Sequence, residues 1–202
     1  MAKKYAWTKD SNKNNKTQTK SKDNKNNYKN IGIWNVKGIK GKEVELQEEM
    51  EKMDLHVLGI TETKRKGRGI KEDEKYLLAW SGVEENIWAQ AGVAIIIDKK
   101  IVGGMADIKY VNERIIAATI KIRKEDYTIF VVYGPNENAI KEEKDEFWEK
   151  LQQELDEVKT NKIMVIGDLN GRVGNKNEGI EKWLGREGES VRNENGKRII
   201  EF

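Results

Sequence analysis

Ile163-Met164-Val165-Ile166-Gly167-Asp168-Leu169-Asn170 is the stretch from which the fold can be read. Four apolar residues, three of them β-branched, predict a buried strand. The run does not close on a reversing turn; after Gly167 it ends on a carboxylate and an amide. Ligand sites in layered α/β proteins gather where strand ends meet loops, so this ending has functional weight. Three other runs end alike: Ile31–Trp34 on Asn35, Val57–Ile60 on Thr61-Glu62-Thr63, and Phe130–Val132 on Tyr133-Gly134-Pro135-Asn136.

Working outward, short β-branched runs separated by polar turns predict strands at Ile31–Trp34, Leu55–Ile60, Leu77–Trp80, Gly92–Ile97, Ile115–Ile122, Thr128–Tyr133 and Ile163–Ile166. Helical spacing appears at Glu43–Met53 and at Lys141–Val158, where Phe147, Leu151, Leu155 and Val158 form one stripe. Helices after the first and sixth strands, with adjacent strands between, predict an α/β or α+β layered fold. Near the C-terminus Asn195-Gly196 reads as a turn, and Lys197–Phe202 opens an amphipathic helix too short to stand alone. The expectation is a chain that breaks off within an element.

At 202 residues the chain has room for one domain with a sizeable core. The arm, residues 1–30, holds nine lysines against Asp10 and Asp23, which puts +7 there and leaves −4 on the body. With seven asparagines and few apolar residues it predicts a disordered Lys/Asn-rich tail, and residues 31–202 the domain. Such an arm either draws the chain toward nucleic acid or is simply solvated. The absence of cysteine excludes a disulfide framework, a thiolate metal site and a cysteine nucleophile, and favours an intracellular setting, the nucleus included. No apolar run reaches the roughly 18 residues of a spanning helix, and no secretory signal is recognisable.

The strand-end residues suit phosphoryl transfer. Glu62 and Asp168 are hard oxygen ligands of the kind Mg²⁺ prefers, with Mn²⁺ as the alternative, and Asn35, Asn136 and Asn170 can hold a water or a phosphate oxygen. An aspartate beside a metal-activated water serves as general base, and a tyrosine hydroxyl can bond a phosphate as charge develops. Any one acid at a strand end is most often a solvated loop residue; the joint pattern carries the argument. Lys64-Arg65-Lys66-Gly67-Arg68 is a compact basic cluster placed where a DNA backbone would pass Glu62, so Lys64 and Arg65 are candidate phosphate contacts, against a solvated loop. Trp80 and Trp88 offer faces for base stacking, although an aromatic at a strand end more often belongs to the core. There is no P-loop, and a single histidine excludes a His-Glu-x-x-His site.

Trp34-Asn35-Val36, Ile60-Thr61-Glu62-Thr63-Lys64, Val132-Tyr133-Gly134-Pro135-Asn136 and Gly167-Asp168-Leu169-Asn170 together resemble the endonuclease/exonuclease/phosphatase superfamily. Gly92-Val-Ala-Ile-Ile96, Val111-Asn-Glu-Arg114 and Arg192-Asn-Glu-Asn-Gly196 followed by Glu201-Phe202 are similar to its craniofacial development protein 2-like and non-LTR retrotransposon endonuclease members. The resemblance implies a four-layered sandwich, two mixed β-sheets flanked by helices. It implies Glu62 as metal ligand with Asn35 beside it, and Asp168 orienting or deprotonating the attacking water. Asn170, Tyr133 and Asn136 would contact the scissile phosphate of DNA.

Three departures follow. The family's Asp-His pair, and the aspartate on the strand before it, have no counterpart in this sequence. Strand alternation places positions 56, 58, 60 and 62 on one face, so the lone His56 shares the face of Glu62 but lies about 20 Å away at about 3.3 Å per residue; it reads as a structural histidine. Lys37 stands where some members have an acid. The expectation is a domain lacking its C-terminal strands, with an unpaired edge and an apolar face exposed, and with impaired activity. Two other functions stay open: a non-catalytic nucleic-acid module working through the arm, and a phosphomonoesterase or phosphoinositide phosphatase.

Overall fold

A computed structural model describes residues 29–88, 91–101, 106–122 and 124–202. Most of the arm expected to be a tail lies outside the described residues; at its end Asn30 is tied down, its amide donating to the Asp54 carbonyl at 2.9 Å. The described residues form nine strands, three α-helices and one short 3-10 helix, Lys99–Ile101. One sheet has the order β1 (Ile31–Asn35), β2 (Val57–Thr61), β5 (Val93–Asp98), β4 (Tyr76–Ser81), β3 (Arg68–Glu72); the other runs β6 (Asp107–Asn112), β7 (Ile115–Ile122), β8 (Glu125–Tyr133), β9 (Ile163–Asp168). β1 and β2 are parallel, as are β8 and β9, and the remaining pairs are antiparallel, so both sheets are mixed.

Side-chain alternation sorts the apolar residues into layers. Odd positions Val57, Leu77, Ala79, Val93, Ile95 and Ile97 of the first sheet meet Ile116, Ala118, Ile120, Ile129 and Val131 of the second. On the outer face of the first sheet Leu58, Ile60, Leu78, Ala94 and Ile96 receive Leu46 and Met50 of α1 (Glu43–Lys52). On that of the second, Ile115, Ala117, Phe130 and Val132 receive Phe147 and Leu151 of α2 (Lys141–Asp156). The result is helix, sheet, sheet, helix. β2 and β5 are buried on both faces, which is why they read as unbroken apolar runs.

The differences from the sequence reading have physical causes. β3 and β6 were not foreseen because neither buries a full apolar face: β3 is almost wholly exposed, and β6 packs only Ile108 and Tyr110 inward before its register shifts. α2 ends at Asp156, two residues short of the predicted end, although Val158 still packs on the same cluster. Asn195-Gly196, expected as a turn, lies inside the first turn of α3 (Glu194–Glu201); the Asn193 side chain caps that helix by accepting from the Gly196 amide at 2.8 Å. Gly196 is needed there because a Cβ would stand 1.8 Å from the Arg172 carbonyl oxygen. β1 and β9 are the open edges on the parallel side of each sheet, and Ile163, Met164 and Val165 of β9 are partly exposed. Among the described residues no helix is long and apolar enough to cross a membrane.

Candidate active site

Parallel pairing sends β1 and β2 out at one end, Asn35 beside Thr61, and β8 and β9 likewise, Tyr133 beside Asp168. Ile31 and Ile33 of β1 and Ile166 of β9 pack into the layer between the sheets. Alternation therefore points Asn35 and Asp168 to the same interior, where Tyr133 also lies. Gly59 of β2 permits the approach, since a Cβ there would sit 2.9 Å from both Ile166 Cδ1 and Ile33 Cδ1. Thr61, the last residue of β2, is fully buried.

Glu62 does not follow the strand. Continued alternation would place it on the α1 side with Leu58 and Ile60, as the sequence reading had it, but its backbone turns left-handed at φ 52°. That turn brings its carboxylate to Asn35, whose Nδ2 donates to Glu62 Oε1 at 2.6 Å and to Asp168 Oδ2 at 3.1 Å. One amide thus holds two carboxylates that originate in different sheets. Asp168 Oδ1 accepts the Asn170 backbone amide at 3.0 Å, and Asn170, also left-handed at φ 50°, donates its side-chain amide to the Gly134 carbonyl at 2.9 Å. His56 precedes β2 at the far end of the strand and accepts the Asn30 amide on Nδ1 at 3.2 Å, a structural role as expected.

Among the described residues no three acids, histidines or cysteines converge on one point. The two carboxylates are nevertheless hard oxygen donors that fit Mg²⁺, which is commonly held by one or two carboxylates and keeps several waters, while Asn35 turns its N–H side to them and so positions them. Lys37 donates its backbone amide to Asn35 Oδ1 at 3.3 Å. Burial pushes the Tyr133 phenol above its ordinary value, the Glu62 carboxylate adds to that, and the Asn170 amide opposes it.

A cavity of about 460 Å³ opens beside these groups, lined by Glu62, Lys64, Trp88, Ala91, Arg114, Tyr133 and Asn136. The structure therefore brings Asn136 and Lys64, both exposed, to the mouth of the site. Arg65 is placed elsewhere: its guanidinium pairs with Glu43 and lies 4.3 Å from the Trp80 ring. Arg114, at the end of the Val111–Arg114 segment, donates to Glu143 at 2.7 Å and sits 5.6 Å from the Tyr133 ring.

The sequence reading missed the latch formed by α3. Asn195 is 3% exposed, and its Nδ2 donates to the Pro135 carbonyl at 3.0 Å and the Asn170 carbonyl at 3.1 Å, bridging the two loops that follow Tyr133 and Asp168. Glu137 accepts the Glu194 and Asn195 backbone amides, and its own carbonyl accepts Lys144 Nζ at 2.6 Å, tying α3 to α2. The Asn193-Glu194 pair, an N-cap followed by an acid, was the available signal.

No family model matches the chain. Over 174 residues, 85% of its length, it is 32% identical to craniofacial development protein 2 of Bos taurus, and it spans 29% of that protein. Among solved structures it is similar to an AP endonuclease from Archaeoglobus fulgidus, at 18% identity and a TM-score of 0.56, over 86% of this chain and 69% of that one. It is also similar to the endonuclease domain of TRAS1, a telomere-specific non-LTR retrotransposon, at 16% identity and a TM-score of 0.55, over 84% of this chain and 68% of that one. At those identities the likeness is one of fold. The chain is a relative of one portion of craniofacial development protein 2, built on the fold of the endonuclease/exonuclease/phosphatase proteins.

Proposed function

We propose that this chain carries a Mg²⁺-dependent nuclease site acting on DNA phosphodiester bonds, descended from the endonuclease of a non-LTR retrotransposon. The observation that carries the reading is the Asn35 amide clasping Glu62 and Asp168 at the meeting point of two parallel strand pairs. Likeness of fold to an AP endonuclease and to the TRAS1 endonuclease domain supports it.

Glu62 would hold the metal with Asn35 beside it; when bound, the ion would supply Lewis-acid neutralisation of phosphate charge and a more acidic water. Each Asp168 oxygen already accepts one hydrogen bond and keeps a lone pair free. On this reading it orients a water and takes its proton as the water oxygen attacks phosphorus and the sugar oxygen leaves. The Tyr133 phenol, held protonated across the neutral range, donates to a phosphate oxygen as charge develops. Asn136 and Asn170 flank that phosphate, and Lys64 meets the next. Turnover is expected to be slow: the resemblance gives phosphorane stabilisation to an Asp-His pair, and the single histidine is tied to Asn30 at the other end of β2.

Nicking of supercoiled plasmid tests the reading, together with the rise in thermal midpoint on adding Mg²⁺. Slow Mg²⁺-dependent nicking should fall by about 100-fold or more in Asp168→Asn, and the Mg²⁺-induced stabilisation should vanish in Glu62→Ala. Nicking indifferent to Asp168→Asn, or equal stabilisation of Glu62→Ala and the parent, overturns it.

A further inference from the structure

The described tryptophans divide by environment. Trp34 and Trp80 lie partly buried against the α1-side core, Trp80 beneath Arg65, and Trp148 packs between Phe147 and Phe202. Trp183, exposed, is paired with Lys182. Trp88 is 82% exposed, and among the described residues neither a ring nor a cation pairs with it. An indole left in water where it lines a cavity with Glu62, Lys64, Arg114, Tyr133 and Asn136 calls for an occupant.

The segment that carries it is anchored. Gly67 donates to the Val83 carbonyl at 2.7 Å and Gly82 to the Gly67 carbonyl at 2.8 Å, while the Ile87 amide closes a turn onto Glu84 at 3.0 Å. On the far side Lys64 donates its backbone amide to Ala91 at 3.0 Å. Trp88 therefore leaves a loop pinned to the segment that bears Glu62 and Lys64. A cavity with two cations, a polar phenol and a free indole face, within the size range of small-ligand sites, matches a base attached to a charged backbone and matches a bare phosphate ester less well.

We propose that Trp88 is a stacking platform for an unpaired nucleobase at the mouth of the Glu62–Tyr133 cavity, which makes the substrate a polynucleotide with a base out of its stack. The proposal rests on the nuclease reading and sharpens its substrate. The full chain is titrated, with Ca²⁺ in place of Mg²⁺, into a single-stranded oligodeoxynucleotide carrying 2-aminopurine and into a strand of equal phosphate number made abasic throughout.

The 2-aminopurine emission should be quenched on binding. Trp88→Ala should abolish the quench and weaken that strand by about 5- to 150-fold. Trp88→Phe should retain most of both, and the abasic strand should bind Trp88→Ala and the parent alike. An exposed side chain can be removed without unfolding the domain, and an unchanged thermal midpoint verifies this. Equal weakening of both strands, or a quench that survives Trp88→Ala, overturns the proposal. Binding sensitive to Lys64→Ala but not to Trp88→Ala sinks this inference alone; binding indifferent to Lys64→Ala and Glu62→Ala sinks the nuclease reading with it.

Discussion

The two parallel strand pairs and the two outer strands β3 and β6 differ in nearly everything that matters for chemistry. β1 with β2 and β8 with β9 deliver Asn35, Glu62, Tyr133 and Asp168 to one end of the sandwich. β3 and β6 are antiparallel edges dressed with charge, Arg68, Lys71 and Glu72 on one and Asp107 and Lys109 on the other, a composition that discourages edge-to-edge association. β1 and β9 are sheet edges too, but each is paired in parallel with a buried strand, β2 or β8, and their inward residues Ile33 and Ile166 meet over Gly59. Among the described residues the outer strands β3 and β6 have no such close packing across the sheets beneath their ends.

The contrast can be broken most forcefully through stability. Leu151 of α2 is fully buried behind β8, so Leu151→Ala should destabilise by about 2–5 kcal/mol, read from urea unfolding. Ile70, the one large apolar residue of β3, is 48% exposed, and Ile70→Ala should stay within about 0.5 kcal/mol. Equal losses would mean that the outer strand is as integral to the fold as the layer behind the site.

α3 allows a test of sign. Glycine to alanine within a helix ordinarily stabilises by roughly 0.5–1 kcal/mol. At Gly196 the added Cβ meets the Arg172 backbone, which cannot swing aside as a side chain could, so Gly196→Ala should destabilise. Because Asn195 bridges Pro135 and Asn170, the same substitution should also speed hydrogen exchange at the Gly134 and Asn170 amides. A gain in stability would show that α3 is a passive appendage and not a latch on the site.

Much of the inner region was legible in the sequence because burial writes itself as apolar runs. Ile115–Ile122 was delimited to the residue, and the four strand ends were found from runs that stop on polar groups. What escaped depended on tertiary partners. Nothing local marks β3 as a strand, since its reason to be extended is the neighbouring β4. The left-handed turn at Glu62 reverses the face that alternation assigns and is invisible to a two-residue period. Arg65 and Lys64 are adjacent and chemically similar, yet Glu43 and Trp80 capture one and leave the other at the cavity. Asn195 looked like half of a turn because Asn-Gly is a turn signal, while its bonds reach across 60 and 25 residues.

The smallest expected effect examines the site's electrostatics directly. The Tyr133 phenol is raised by burial first and by Glu62 second, with Asp168 contributing after the opposing Asn170 bond. Glu62→Gln should therefore lower its titration midpoint more than Asp168→Asn, and neither should return it to the ordinary phenol value. The ultraviolet difference titration between parent and Tyr133→Phe isolates this one group. The linkage fixes the sign for stability: a raised folded value means the unfolded chain releases its phenolic proton first. Stability should be insensitive to this residue through neutrality and decline as pH climbs past the ordinary phenol range, with Tyr133→Phe flattening the decline. A larger response to Asp168→Asn would reverse the order of the two charges about the phenol and place β9 nearer to it than the turn after β2.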